Sequence, residues 1–293
     1  MELRGVFLGL CTVDVVQLAP RFPGPDDKVV ALDRLCVAGG PAANAAATFS
    51  HLGHRARLIT ALGHHPTSAI ARDDLEACGV DIFDLDPDET RCPTISCVIV
   101  TAKTGQRAVV STNAAGKVID ARRFDPAALD GASVLMIDGH HMEVALEAAR
   151  CARDRGVEVV LDGGSWKPGM EGLLPLVDVA VCSERFAPPG IAPGGADVLR
   201  FLRATGVESG AVTRGPRPII YTSGSGEGEL RVEKVEAVDT LGAGDIFHGA
   251  FCALAERPFV DRLAGAAKVA SGSCLCFGTR AWMHGDDNDS HAD

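Results

Sequence analysis

Asp239-Thr240-Leu241-Gly242-Ala243-Gly244-Asp245-Ile246-Phe247-His248-Gly249 is the stretch from which the rest of the chain is read. Val235 to Val238 approaches it as a short, partly apolar segment, and Gly242 and Gly244 bracket a turn. Ile246, Phe247, Ala250, Phe251 and Leu254 then recur at helical spacing. A small-residue turn that opens a helix leaves several backbone N–H groups unpaired, with the positive end of the helix dipole behind them. That is an anion site of the phosphate type. Within it stands one carboxylate, Asp245, where a carboxylate repels a resting phosphate. The placement makes chemical sense if Asp245 takes a proton from a hydroxyl that then attacks phosphorus. Taken alone, Gly-Ala-Gly-Asp also reads as an ordinary helix start, with Asp245 favoured in the first turn by the dipole.

The whole composition sets the frame for that chemistry. At 293 residues the chain suits one large α/β domain or two small ones, with room for a sizeable core. Hydrophobic residues make up 46% and charged residues 23%, the balance of a globular protein. A formal net charge of −11 argues against nonspecific nucleic-acid binding and against anionic membrane surfaces. No apolar run reaches the length of a spanning helix, and no basic-then-apolar export signal opens the sequence, so a cytoplasmic protein is expected. The ten cysteines are mostly scattered singly, and the pairs Cys92–Cys97 and Cys274–Cys276 do not make a metal set. They are expected to be buried thiols acting as small hydrophobes.

Upstream, an apolar strand at Val6–Leu10 continues through Cys11–Leu18, with Asp14 as its only early charge. A proline-rich loop covers Ala19–Asp27, and Lys28–Val37 alternates as an exposed strand does. It runs into Ala38-Gly39-Gly40-Pro41-Ala42-Ala43-Asn44 and an alanine-rich helix to about Leu52, with Pro41 suited to the first turn. Arg57–Leu62 reads as a buried strand and Thr67–Cys78 as a helix stopped by Gly79. Thr94–Ala102 and Gln106–Ser111 flank Lys103-Thr104-Gly105 as a β-hairpin. From Val134 onward strand and helix patterns alternate: Val134–Ile137, Met142–Arg155, Glu158–Leu161, Val177–Cys182, Gly195–Thr205 and Gly210–Thr213, with a last helix at Phe259–Leu275. Such alternation implies right-handed βαβ units, a mostly parallel sheet covered on both faces, and ligands at the carboxyl ends of its strands. Asp138-Gly139-His140-His141, Asp162-Gly163-Gly164 and Ser183-Glu184 lie at such ends.

The two glycine-rich segments, in this order, resemble the signatures of the ribokinase-like (PfkB) family of small-molecule kinases: Gly-Gly-x-x-x-Asn at Gly39, Gly40 and Asn44, and Asp-Thr-x-Gly-Ala-Gly-Asp-x-Phe at Asp239–Phe247. The resemblance runs from Asp14 to about Thr279. It implies a three-layer α/β/α domain over residues 1–285, with a small β-sheet lid from about 12–37 and 92–112, and an acidic disordered tail at 286–293. It makes Asp245 the catalytic base and Gly242, Ala243 and Gly244 the cradle of the transferring phosphate. Asp14, Gly39, Gly40 and Asn44 would hold the sugar hydroxyls, with Asn113 and His140 as further substrate contacts. Thr213 and Gly215 would approach ATP, and Ser223–Gly228 would border its adenine. Ser183-Glu184 stands where the family shows Asn-x-x-Glu, the pair that organises Mg2+ through water. Here that motif is broken, with Glu184 as a substitute. Asp239, with Gly278 and Thr279, would hold a monovalent cation, K+. The lid would pair two copies into a homodimer.

The expected activity is ATP-dependent phosphorylation of a primary hydroxyl on a small carbohydrate, with a look nearest the ketose (fructose and sulfofructose) kinases. A nucleoside kinase would call for an aromatic sandwich, and one tyrosine and two tryptophans leave that to the eleven phenylalanines. A catalytically idle sugar-binding protein would account for the broken Asn-x-x-Glu motif but not for Asp245 inside an intact anion site. No Gly-x-x-x-x-Gly-Lys-[Ser/Thr] segment is present, which excludes a P-loop kinase.

Overall fold

Val6 and Leu8 of the first strand, β1 (Arg4–Leu8), pack into one apolar cluster and Phe7 between them into another, and all three are fully buried. Only a sheet covered on both faces asks this of a strand. The computed structural model, which describes residues 2–114 and 116–284, builds that sheet from nine strands. Beside β1 they are β4 (Arg55–Thr60), β5 (Val80–Asp84), β8 (Val134–Ile137), β9 (Glu158–Gly163), β10 (Val179–Ser183), β11 (Ser209–Arg214), β12 (Arg217–Ser223) and β13 (Gly226–Leu230). Their order is β13-β12-β11-β10-β9-β8-β1-β4-β5, parallel from β11 to β5, with β12 and β13 added antiparallel at one edge.

Helices α1 (Pro41–His51), α6 (Ala243–Ala253) and α7 (Phe259–Ser273) share a core with Phe7, Leu58, Met136 and Val160 on one face. Helix α2 (Ser68–Ala77) contributes Ala71 and Leu75 to the same core. On the opposite face α3 (Met142–Asp154), the short α4 (Met170–Leu173) and α5 (Ala196–Ala204) pack against Leu8, Ile59, Leu135 and Ile137. This is the three-layer α/β/α domain expected. A second sheet, in the order β3-β2-β6-β7, is built from β2 (Thr12–Ala19), β3 (Asp33–Gly39), β6 (Ile95–Thr101) and β7 (Arg107–Ser111). Its central pair β2 and β6 is parallel, with Val13 opposite Ile95.

Several elements differ from the sequence reading. β3 begins at Asp33, leaving Lys28–Leu32 outside the strand with Val30 and Leu32 exposed. β5, an edge strand paired only with β4, carried no clear pattern. Ser223–Gly228 is no free loop: it holds the end of β12, the turn and the start of β13. Because Gly210 at the start of β11 pairs with Thr222, this turn lies at the amino ends of the parallel strands, away from the edge where an adenine would sit. Polar Gly226-Glu227-Gly228-Glu229 gave no strand signal because an edge strand needs only one neighbour. All ten cysteines are free, but only Cys11, Cys182, Cys252 and Cys274 are buried, while Cys36, Cys92 and Cys97 are exposed on or beside the small sheet. The expected acidic tail falls outside the described residues.

Candidate active site

The site begins with the contact between α1 and α6. A side chain on Gly249 would stand 2.4 Å from Ala45 O and 2.7 Å from Thr48 Cβ, so a glycine there lets the two helices touch through their backbones. One turn before Gly249 comes Asp245, and one residue before Ala45 comes Asn44. The close approach therefore brings their side chains together, and Asn44 Nδ2 donates to Asp245 Oδ2 at 2.8 Å. Gly242 forms the N-cap of α6 in left-handed backbone, φ 69°, and the Ile246 N–H returns to Gly242 O at 2.8 Å. The N–H groups of Gly244 and Asp245, in the first turn, have no acceptor within the helix by its geometry.

Burial in the cleft is the largest influence on Asp245 and, with the neighbouring Asp162 carboxylate, pushes its pKa up to about 7. The Asn44 hydrogen bond and the charges of His248 and Arg107 pull the other way. Asp162, at the end of β9, is itself buried and raised, and its Oδ2 lies 3.5 Å from His248 Nδ1. His248 stands behind the turn, Nδ1 at 2.7 Å from Gly244 O and Nε2 at 3.0 Å from Val181 O. A carboxylate poised near neutrality beside free N–H groups can accept a proton from a bound hydroxyl while the N–H groups face a phosphoryl oxygen.

The expected acceptor residues gather on the neighbouring side. Gly40 caps α1 with φ 95°, and a side chain there would strike Leu10 O at 2.3 Å. Asp14 on β2 is buried against Gly39, accepts from Thr12 Oγ1 at 2.5 Å, and is raised by that burial. At the end of β8, Asp138 accepts the Leu10 N–H at 2.8 Å and the Ala42 N–H at 3.3 Å through Oδ2, which ties the strand end to the start of α1. Its Oδ1 lies 3.0 Å from His140 Nδ1. Burial opposes the Asp138 charge, but His140 and Lys167 outweigh it and hold the carboxyl well below its usual range. Among the described residues His140 Nε2 and His141 Nδ1 are buried without a partner. A cavity of about 220 Å³ continues beneath the small sheet, lined by Cys11, Leu62, Thr94, Thr112, Lys117 and His141. Asn113 is exposed, in left-handed backbone after β7, and is not among the residues lining this cavity.

The expected nucleotide residues cluster at the ends of β10 and β11. The Glu184 N–H donates to Thr213 O at 2.9 Å, Ser183 Oγ donates to Gly164 O at 2.7 Å, and Gly215 forms the turn into β12 with φ 61°. Glu184 forms an exposed ion pair with Arg217, and Arg214 turns back on Pro218 O and Glu229. Asp239 uses its two oxygens on the N–H groups of Leu241, at 2.8 Å, and Gly278, at 3.0 Å. The described residues contain no group of three or more His, Cys, Asp or Glu suited to a metal ion.

Four residues of this cluster had no role in the sequence reading: Asp138, Asp162, Arg107 and Arg280. The first two were placed at strand ends by the alternation pattern, which gives position but not direction. Arg107, on β7, donates from Nη1 to Thr240 O and Oγ1, both at 2.8 Å, and so fastens the small sheet to the segment before the anion site. Neither arginine carries a signal in sequence, because one arginine among many exposed ones looks like any other.

A family model described as pfkB family carbohydrate kinase matches residues 4–284. The ATP-dependent ribose-1-phosphate kinase of Halopiger xanaduensis is 26% identical over 262 residues, covering 86% of this chain and 84% of that protein. The ribokinase of Haemophilus influenzae is 25% identical over 267 residues, covering 87% and 86%. A crystal structure of a protein from Agrobacterium tumefaciens superimposes with a TM-score of 0.85 at 26% identity, over 97% of this chain and 94% of that one.

Proposed function

The chain belongs to the pfkB family of carbohydrate kinases, and we propose that it transfers the γ-phosphoryl of ATP to a primary hydroxyl of a small, furanose-forming sugar. The observation that carries the reading is Asp245 beside the open amino end of α6, ionising near neutral pH and held by Asn44. Asp245 takes the hydroxyl proton as the oxygen attacks phosphorus. Gly242, Ala243 and Gly244 meet the charge on the transferring group through their backbone. Asp14, Gly39, Gly40 and Asn44 fix the acceptor in line, with His140 Nε2 free to accept from a further hydroxyl. Asn44 keeps a second N–H for the acceptor after donating to Asp245. We place Asn113 at the rim of the acceptor pocket, and Thr213, Gly215, Ser183 and Glu184 along the triphosphate.

The sugar is a ketose in the reading of the two signatures, while the two named relatives carry ribose and ribose 1-phosphate in their names. Both alternatives are furanose-forming. Mg2+ used with ATP is bound mainly by phosphates and water with one or two carboxylates, and so needs no protein-only cluster. The ion would neutralise phosphate charge. A K+ ion beside Asp239 is supported by the resemblance alone, because the two N–H groups it accepts already give Asp239 a structural task. We further propose that two copies pair through the outer face of the small sheet, where Val110 is 76% exposed opposite Cys97. The described residues include no helix long and apolar enough to cross a membrane.

The test is ADP release from ATP and Mg2+ over a panel of ketoses, pentoses, sugar phosphates and nucleosides, with Asp245→Asn as the blank. A strong response to one sugar that vanishes in the variant supports the reading. A response to nucleosides alone overturns it.

A further inference from the structure

Arg280 lies in neither signature, yet it is only 8% exposed, directly behind the site. Its Nη1 donates to Asn44 Oδ1 at 2.9 Å and to Thr279 Oγ1 at 3.0 Å. Its Nη2 donates to Ala38 O at 3.2 Å and lies 3.1 Å from Asp74 Oδ2 on α2, an oxygen that also accepts the Ala38 N–H at 3.1 Å. Its Nε is buried with no partner among the described residues. A buried guanidinium with an unsatisfied N–H is an expensive way to fill space, so stability alone gives little reason for it. A guanidinium offers only donors, whereas an amide can present either its oxygen or its NH2. Facing Asn44, Arg280 admits only the amide oxygen and so turns the NH2 toward Asp245. Without it the amide could turn over and set an acceptor against the carboxylate.

We propose that Arg280 is a positioning residue for phosphoryl transfer, locking the Asn44 amide so that it always donates to Asp245. The same guanidinium grips Ala38, where β3 runs into Gly39 and Gly40. One side chain therefore sets both the acceptor loop and the orientation of the base. The inference rests on the reading of Asp245 given above, and deepens it.

The test follows the Asp245 carboxyl by 13C NMR in aspartate-labelled protein, its signal assigned by its loss in Asp245→Asn, which needs no substrate. The groups facing that carboxyl are Asp162 from β9, His248 from α6, Asn44 from α1 and Arg107 from β7; Arg280→Lys replaces none of them and of the four touches only Asn44. Arg280→Lys, with a donor poorly placed for the amide, is expected to raise the Asp245 midpoint and to lower kcat about tenfold, in line with the cost of small misplacements, with ATP affinity unchanged. In the Asn44→Ala background the same substitution should shift the Asp245 midpoint no further, while the loss that comes through the grip on Ala38 persists in kcat. Equal midpoint shifts in both backgrounds, or a wild-type midpoint in folded Arg280→Lys protein, overturn the proposal. If that variant does not fold, the Asn44 NH2 protons of 15N-asparagine-labelled wild type decide: they should shift with the midpoint of Asp245, and indifference to it overturns the proposal. Midpoints that behave as stated in a protein that phosphorylates no sugar would instead sink the reading of the reaction and leave the positioning role standing.

Discussion

Asn44 Nδ2 and Asp245 Oδ2 stand 2.8 Å apart across 201 positions of sequence, one on each of two helices that touch through bare backbone. The amide binds the ionised form of the carboxyl better than the protonated form and so opposes the burial that favours the proton. The expected role of Asp245 as base depends on this opposition, because a base must be largely ionised at working pH.

Asp245→Asn should lower kcat by about a thousandfold, within the usual range for loss of a general base, with ATP binding by calorimetry little changed. The same variant has a stability signature. Asp245 ionises at about 7 when folded against an ordinary 3.8, so between those values the native state holds a proton that the unfolded chain has lost. Stability is therefore lost as pH rises through that window, and removing the carboxyl removes the loss. Melting temperatures of variant and wild type should draw together near pH 4 and separate in favour of the variant above pH 7. Parallel curves would show that the carboxyl is not strained by its burial.

Turnover should rise with pH through about 7 as Asp245 ionises, read as the acid limb of kcat/KM. Asn44→Ala should move that limb upward, since the donor is lost. Asp162→Asn should move it downward, since the repelling charge is lost. Shifts in the same direction for both would contradict the assignment of the limb to Asp245.

Gly249→Val inserts carbon where 2.4 Å separates a modest Cβ from Ala45 O. Overpacking of this kind costs about 1–3 kcal/mol, and here it also pries Asn44 from Asp245. Activity should fall further than stability does. Denaturant unfolding beside steady-state kinetics measures the two separately.

Arg107→Ala cuts the link between β7 and Thr240. If the small sheet closes over the acceptor to keep water out, the variant should hydrolyse ATP without acceptor at a higher rate relative to transfer. An unchanged ratio would leave the Arg107 contact as mere surface pairing.

Much of the molecule is legible in local patterns. Buried apolar runs such as Val134–Ile137 alternate with amphipathic helices such as Met142–Asp154, and that alternation carries the parallel sheet. What failed to show were β5 and the polar β13, the two edge strands of the nine-stranded sheet. An edge strand is held by backbone hydrogen bonds, and those leave no mark on side-chain pattern.

The sequence by itself determined the two glycine-rich turns, the helix starts that follow them and the lone carboxylate in the second, because turn geometry and helix ends are set by residues a few positions apart. It therefore settled the fold class and pointed to the base. Only the tertiary structure decided that the Asp162 charge acts on Asp245, that Arg107 ties the small sheet to Thr240 and that Arg280 meets the Asn44 amide oxygen. Each of these is a meeting of side chains from distant segments. Burial and the direction of an amide or a charge exist only once those segments are packed, so no local pattern in the chain encodes them.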